Sequence, residues 1–228
     1  IRDSGGSAAN TAVGLARLGL RVGYIGKVAD DDEGKFLLND FKKENVDIKG
    51  IAISKKGISG VVFGFIDEEG NRALYVAPGV NDSLTFEEIN LDYVSNTEFL
   101  HFTSFVGEKP FTAQKKLLEA ASNVKISFDP GELYARKGLR LLRPFLERSF
   151  VVSPNANELR LLTGKDYREG SKALLKEGAR IVAVKLGKKG CYVTDGKESY
   201  LVDPFKMKVV DTTGAGDAFC AGFLYSLI

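Results

Sequence analysis

Residues 99–129, FLHFTSFVGEKPFTAQKKLLEAASNVKISFD, place two apolar runs on either side of a segment with helical spacing. Residues 99–103 predict a strand, 112–122 a helix and 124–129 a second strand. A strand that returns through a helix is a βαβ unit, which implies a parallel sheet covered by helices. The alternation continues downstream: helix 138–146, strand 150–152, short helix 158–163, helix 167–177 and a buried strand at 180–186. Residues 191–202 add a hairpin around Asp195-Gly196-Lys197. Upstream, TAVGLARLGL at 11–20 is a helix closing on Gly19, followed by the strand RVGYIGKV at 21–28. Asp30 to Glu33 open a further helix with an apolar face of Phe36, Leu37 and Phe41, and 46–48 end that unit. Residues 51–79 differ in texture, with β-branched and aromatic strands separated by glycine turns and a hairpin loop expected at Glu69-Gly70-Asn71. Within this stretch, Gly60 to Val80 predicts a small accessory sheet beside the α/β layer.

Composition narrows the function classes. Lys plus Arg outnumber Asp plus Glu by 32 to 30, a net charge of +2 over 228 residues, too small and too dispersed to argue for nucleic acid or a charged membrane. Cys191 and Cys220 make no disulfide framework, which favours a reduced, cytoplasmic protein. His101 is the only histidine, so a zinc site or a histidine-based triad has little to be built from. No apolar run reaches the roughly 18 residues of a membrane span. Absence of an initiator Met, and a final helix without a cap, lead to the expectation that both termini are incomplete.

The strongest chemical signal is Asp211-Thr212-Thr213-Gly214-Ala215-Gly216-Asp217, followed by AFCAGFLYSL. An apolar strand end is expected at 207–210 and a helix after the glycines, in which Gly222 would permit close packing. Gly214, Ala215 and Gly216 then lie at a helix N-terminus, where unpaired amides face an anion. Asp217 in the first turn suits a carboxylate that takes a proton from an acceptor hydroxyl. The plain alternative is a glycine turn with an acidic residue at the helix start.

DTTGAGDAFCAGF resembles the C-terminal signature of the ribokinase-like, or PfkB, family of carbohydrate and nucleoside kinases. GGSAANTA at 5–12, followed by AxLG at Ala16 to Gly19, resembles its N-terminal signature. The resemblance covers essentially the whole chain. It implies one three-layer α/β domain over 1–228, with a largely parallel central sheet flanked by helices and a small β lid within about 51–80. It further implies ATP and Mg²⁺ as cofactors and a small sugar or nucleoside as acceptor, and it leaves room for a homodimer. By position, Asp217 matches the catalytic base and Gly214, Ala215 and Gly216 the anion hole. Gly6, Ser7 and Asn10 match acceptor-binding residues, although Asn10 also reads as a helix N-cap. Asn155 and Glu158 match the NxxE element, with Asn155 toward the nucleotide and Glu158 toward Mg²⁺ through water; a helix capping box is the ordinary reading of the same spacing. Lys185, Gly187 and Gly190 match the nucleotide-side loop, whereas Lys188 and Lys189 read as solvated turn residues. Asp129 is assigned to the phosphate or metal surroundings. Asp211 and Thr213 match a K⁺-type monovalent cation site.

Other features stay outside this assignment. His101 reads equally as a packed histidine. Phe63, Phe65, Phe102 and Phe105 read as core or lid. Arg72 and Lys109 are candidates for a phosphorylated acceptor. Competing functions are a nucleoside kinase, a non-catalytic sugar- or nucleotide-binding regulator, and a Rossmann oxidoreductase, for which the GxGxxG spacing is missing.

Overall fold

A computed structural model describes residues 2–66, 72–206, 208, 209 and 211–228. The hairpin loop expected at Glu69-Gly70-Asn71 lies outside the described residues. So do Met207 and Val210 of the expected strand end, and Lys208 and Val209 between them are in no strand.

The central sheet has six strands in the order β10-β9-β8-β7-β6-β5. These are β5 (Phe99–Phe102), β6 (Lys125–Phe128), β7 (Ser149–Val152), β8 (Ile181–Lys185), β9 (Cys191–Thr194) and β10 (Ser199–Val202). Strands β5 to β8 are parallel, and β9 and β10 complete the sheet antiparallel. Period-two alternation sends successive side chains to opposite helical layers. Ile126, Phe128, Val152, Val182 and Val184 join the larger core, beneath α4 (Glu108–Ala120), α6 (Leu139–Arg148) and α8 (Tyr167–Lys176). Phe128 and Phe145 stack there at 4.9 Å, and Tyr134 donates to Gln114, which donates to the Thr103 carbonyl. Val151 and Ala183 face the other way, toward Leu15 of α1 (Ser7–Arg17) and Ala221 and Leu224 of α9 (Ala215–Tyr225). The result is the largely parallel sheet that the strand–helix alternation implied, in the three-layer α/β arrangement that the resemblance implied.

The N-terminal part forms a parallel pair, β1 (Val22–Ala29) with β2 (Val46–Ser54), packed against α1 and α2 (Asp32–Lys43). Residues 51–54 therefore continue β2 through Gly50 and do not belong to the accessory sheet. That sheet is the antiparallel pair β3 (Val61–Ile66) and β4 (Arg72–Ala77). Val62, Phe63, Phe65, Leu74, Tyr75 and Val76 are all more than half exposed, so apolar groups line the pair without a core beneath it. Two short helices had no periodic signal, α3 (Leu91–Ser95) and α5 (Gly131–Ala135). Five residues are too few to show a 3.6-residue period. Helix α7 (Ala156–Thr163) completes the set.

Close packing of the site's two helices rests on Gly14, not on Gly222. A Cβ at Gly14 would stand 2.8 Å from the Cβ of Ala221, while one at Gly222 would meet nothing within 4 Å. Gly14→Val must therefore force α1 from α9, lowering stability by about 1–3 kcal/mol and activity with it. Gly222→Ala should leave stability unchanged or raise it by up to about 1 kcal/mol. Thermal denaturation of the two variants checks the contrast.

Candidate active site

Two helix N-termini converge on one carboxylate. Gly214 takes the left-handed conformation, φ 73°, that turns the chain into α9, and Asp217 falls in the first turn. Asp217 Oδ1 accepts from the Ser7 hydroxyl at 2.7 Å, and its Oδ2 accepts from Asn10 Nδ2 at 2.8 Å. Thr11 Oγ1 adds a contact to the Asp217 carbonyl at 3.3 Å. Ser7, Asn10 and Thr11 share α1, which Gly6 opens at φ 112°. Asn10 is thus inside the helix and grips Asp217, which removes the N-cap reading of that residue.

Three further residues come from the carboxyl ends of adjacent parallel strands, the edge where open α/β sheets bind ligands. Asp129 follows β6, Asn155 follows β7 and Lys185 ends β8. Lys185 Nζ donates to Asp129 Oδ2 at 2.6 Å, with side chains only 12% and 7% exposed. Burial works against the ammonium, but its acidic neighbours, Asp129 foremost and Glu158 beyond it, together hold the Lys185 pKa above its ordinary value. Asn155 caps α7: its Oδ1 accepts from the amides of Asn157 and Glu158, and its own amide and Nδ2 donate to the two Glu158 oxygens at 2.7 Å. The capping box and the NxxE element are the same object. Burial first, then repulsion from Asp129, pushes the Glu158 carboxyl upward.

Ser7, Asp129, Gly131, Asn155, Glu158, Lys185, Gly187, Gly216 and Asp217 line one cleft of about 300 Å³. Most of the expected site residues therefore meet, although they are scattered along the whole chain. Gly190 does not: a Cβ there would lie 1.9 Å from the Val202 carbonyl, so this glycine lets the turn after β8 pack on β10. Lys188 and Lys189 are exposed turn residues. Asp211 Oδ1 accepts from the amide and hydroxyl of Thr213, a local turn. Lys109 is exposed, the Arg72 side chain lies outside the described residues, and Phe102 is core.

Sequence reasoning passed over Cys220, whose thiol approaches Asp129 Oδ2 at 3.4 Å. The signal was available, since residue 220 lies one helical turn after Asp217 on the same face. Burial pushes the Cys220 thiol pKa up and keeps it a proton donor.

Among the described residues no cluster of three His, Cys, Asp or Glu side chains could cage a metal. The donors present suit a hydrated hard cation, which takes one or two carboxylates plus phosphate oxygens. No helix among the described residues is long and apolar enough to cross a membrane.

His101 lies within β5, with Nδ1 2.9 Å from Ser127 Oγ and its buried Nε2 without a partner among the described residues. Burial lowers its pKa from 6.5 to about 4. The native state keeps the ring neutral while the unfolded chain protonates near 6.5, so stability is complete above that pH and falls as pH drops toward 4. The loss at pH 5 should be on the order of 2 kcal/mol. His101→Gln should flatten this pH dependence, as read by thermal denaturation between pH 7 and 5.

With this geometry in view, the family model for pfkB family carbohydrate kinases matches residues 2–228. An uncharacterized sugar kinase of Archaeoglobus fulgidus is 43% identical over 219 residues, covering 95% of this chain and 86% of that protein. An ATP-dependent ribose-1-phosphate kinase of Halopiger xanaduensis is 37% identical over 224 residues, covering 98% and 73%. A crystal structure of Vibrio cholerae fructokinase with fructose, ADP and calcium bound superposes with a TM-score of 0.85 at 27% identity, covering 100% and 77%.

Proposed function

The chain belongs to the pfkB family of carbohydrate kinases, and from that membership we propose that it moves the γ-phosphoryl group of ATP onto a sugar hydroxyl, with Asp217 as the base. The observation that carries this reading is the Asp217 carboxylate clamped between Ser7 and Asn10 in the lining of the cleft. Donors on both oxygens fix the direction of the remaining lone pairs. The acceptor hydroxyl gives its proton to one of them as its oxygen attacks the γ-phosphorus. Amides at the start of α9, from Gly214 and Gly216, offset charge on the equatorial oxygens, whereas the Ala215 amide, expected in the same anion hole, donates to the Thr212 carbonyl at 3.1 Å. Asn155, Lys185 and Gly187 lie on the nucleotide side, and Gly190 supports their turn from behind.

Glu158, organised by Asn155, would hold Mg²⁺ through water, and that ion neutralises phosphate charge when bound. Asp129 is close enough to add to its surroundings. Asp211 and Thr213 remain the proposed K⁺ position. Gly6, Ser7 and Asn10 are the proposed acceptor contacts.

Charge favours a neutral sugar over a phosphorylated one. Three carboxylates, Asp129, Glu158 and Asp217, line the cleft against one ammonium, and Asp129 already binds that ammonium. A nucleoside acceptor is the second reading, and a non-catalytic regulator the third; the Asp217 clamp favours an enzyme over a binding module. We read the chain as one ribokinase-like domain whose lid is the β3–β4 pair. The exposed apolar side chains of that lid favour a second copy as partner. ATP as donor and two free cysteines favour the cytoplasm.

Asp217→Asn should keep the fold and ATP binding but lower kcat by roughly 10²–10⁴-fold. ADP release across neutral sugars, sugar phosphates and nucleosides should be greatest with a neutral sugar. Wild-type turnover in Asp217→Asn rejects the base assignment, and release with nucleosides alone rejects the sugar.

A further inference from the structure

Lys185 and Asp129 are 56 residues apart, yet they form the most buried ion pair among the described residues. Replacing a buried ion pair with apolar groups often stabilises a protein. Stability is therefore a weak reason for this one, and its position offers a better one. The Lys185 ammonium lies 3.5 Å from where a Cβ on Gly216 would stand, in ordinary contact with the first turn of α9. Gly216 carries no side chain, so nothing screens the ammonium from that turn. Asp129 Oδ2 receives Lys185 from β8 and the Cys220 thiol from α9, and it ties both elements to the end of β6. Lys185 is also the one cation among the described residues that line the cleft.

We propose that Asp129 is a positioning residue that acts through Lys185: its carboxylate fixes the ammonium beneath the α9 amides, where charge accumulates on the transferring phosphoryl group. This rests on the kinase reading above. A lysine has a flexible four-carbon stem and a compact charge, so its electrostatic effect depends on what holds the ammonium in place. Preorganised charge of this kind stabilises the transition state more than the bound nucleotide. The effect of Asp129 should therefore appear in kcat and vanish when Lys185 is absent. A carboxylate that held the metal would behave otherwise, raising the Mg²⁺ requirement with or without Lys185.

The test is a double-mutant cycle of Asp129→Asn and Lys185→Met, with Asp129→Leu/Lys185→Met as an apolar replacement in case the half-pairs fold poorly. kcat, KM for ATP and the half-saturating Mg²⁺ concentration are measured, together with calorimetric ATP binding and the unfolding midpoint. Each single variant should lower kcat by roughly 10²-fold, with KM for ATP and the Mg²⁺ requirement changed less than about threefold. Both double variants should match Lys185→Met in kcat. Additive losses in Asp129→Asn/Lys185→Met overturn the proposal. So does an apolar double variant that folds yet falls below Lys185→Met. A raised Mg²⁺ requirement in Asp129→Asn that persists without Lys185 overturns it in favour of metal binding. Inactivity of the wild-type chain toward every acceptor would instead remove the kinase reading on which the proposal stands.

Discussion

The contact between α1 and α9 determines what the rest of the chain must do. Ser7 and Asn10 reach Asp217 only because the two helices cross closely enough for both N-termini to face one point. That approach depends on a missing side chain, since Gly14 lies against Ala221 where a Cβ could not fit without movement. Leu15, Leu224 and the inward residues of β7 and β8 then seal the crossing against the sheet. Burial of such side chains contributes roughly 1.5–3 kcal/mol each. The carboxylate is thus held by two helices whose mutual position the core fixes, and as the proposed base it would need little reorganisation before reaction.

The sheet supplies the other half of the site by a different rule. Parallel strands end at one edge, so residues just past β6, β7 and β8 become neighbours although helices separate them in sequence. Asp129, Asn155 and Lys185 meet there. The Asn155 amide and side chain occupy both Glu158 oxygens, which lets a carboxylate that is 8% exposed remain organised at the cleft. One capping motif therefore ends a loop, starts a helix and orients an acidic group.

Much of this was legible in the sequence, for identifiable reasons. The strands and helices between 99 and 186 are long enough to show their periods, and the glycine motif at 214–216 marks a helix start by composition alone. The short helices α3 and α5 were not legible, because a single turn carries no period. The extent of β2 was hidden at Gly50, which pairs with Ile25 just after a register shift in the parallel ladder, so the strand runs on past an irregularity. Gly222 looked like the packing glycine because it lies in the motif helix. Which glycine touches the partner helix is a property of the crossing, and neither helix records it alone. The Asp129–Lys185 pair escaped for the same reason: each residue was recognisable as a candidate, but their pairing depends on sheet order.

Charge in the cleft explains why these contacts belong together. Asp129, Glu158 and Asp217 would by themselves repel a polyphosphate at a site with one ammonium. Coulomb repulsion between unit charges about 4 Å apart is on the order of 4 kcal/mol near a protein surface. Each carboxylate is offset locally: Asp217 by the Ser7 and Asn10 donors, Glu158 by Asn155, and Asp129 by Lys185 and Cys220. With three carboxylates against one ammonium, the lining still carries net negative charge. A residual negative potential is a poor receptor for bare ATP and a good one for ATP that arrives with a divalent cation. Under the proposed kinase reading, the same potential that would discourage a second phosphate in the acceptor position would favour the metal–nucleotide complex over the free nucleotide.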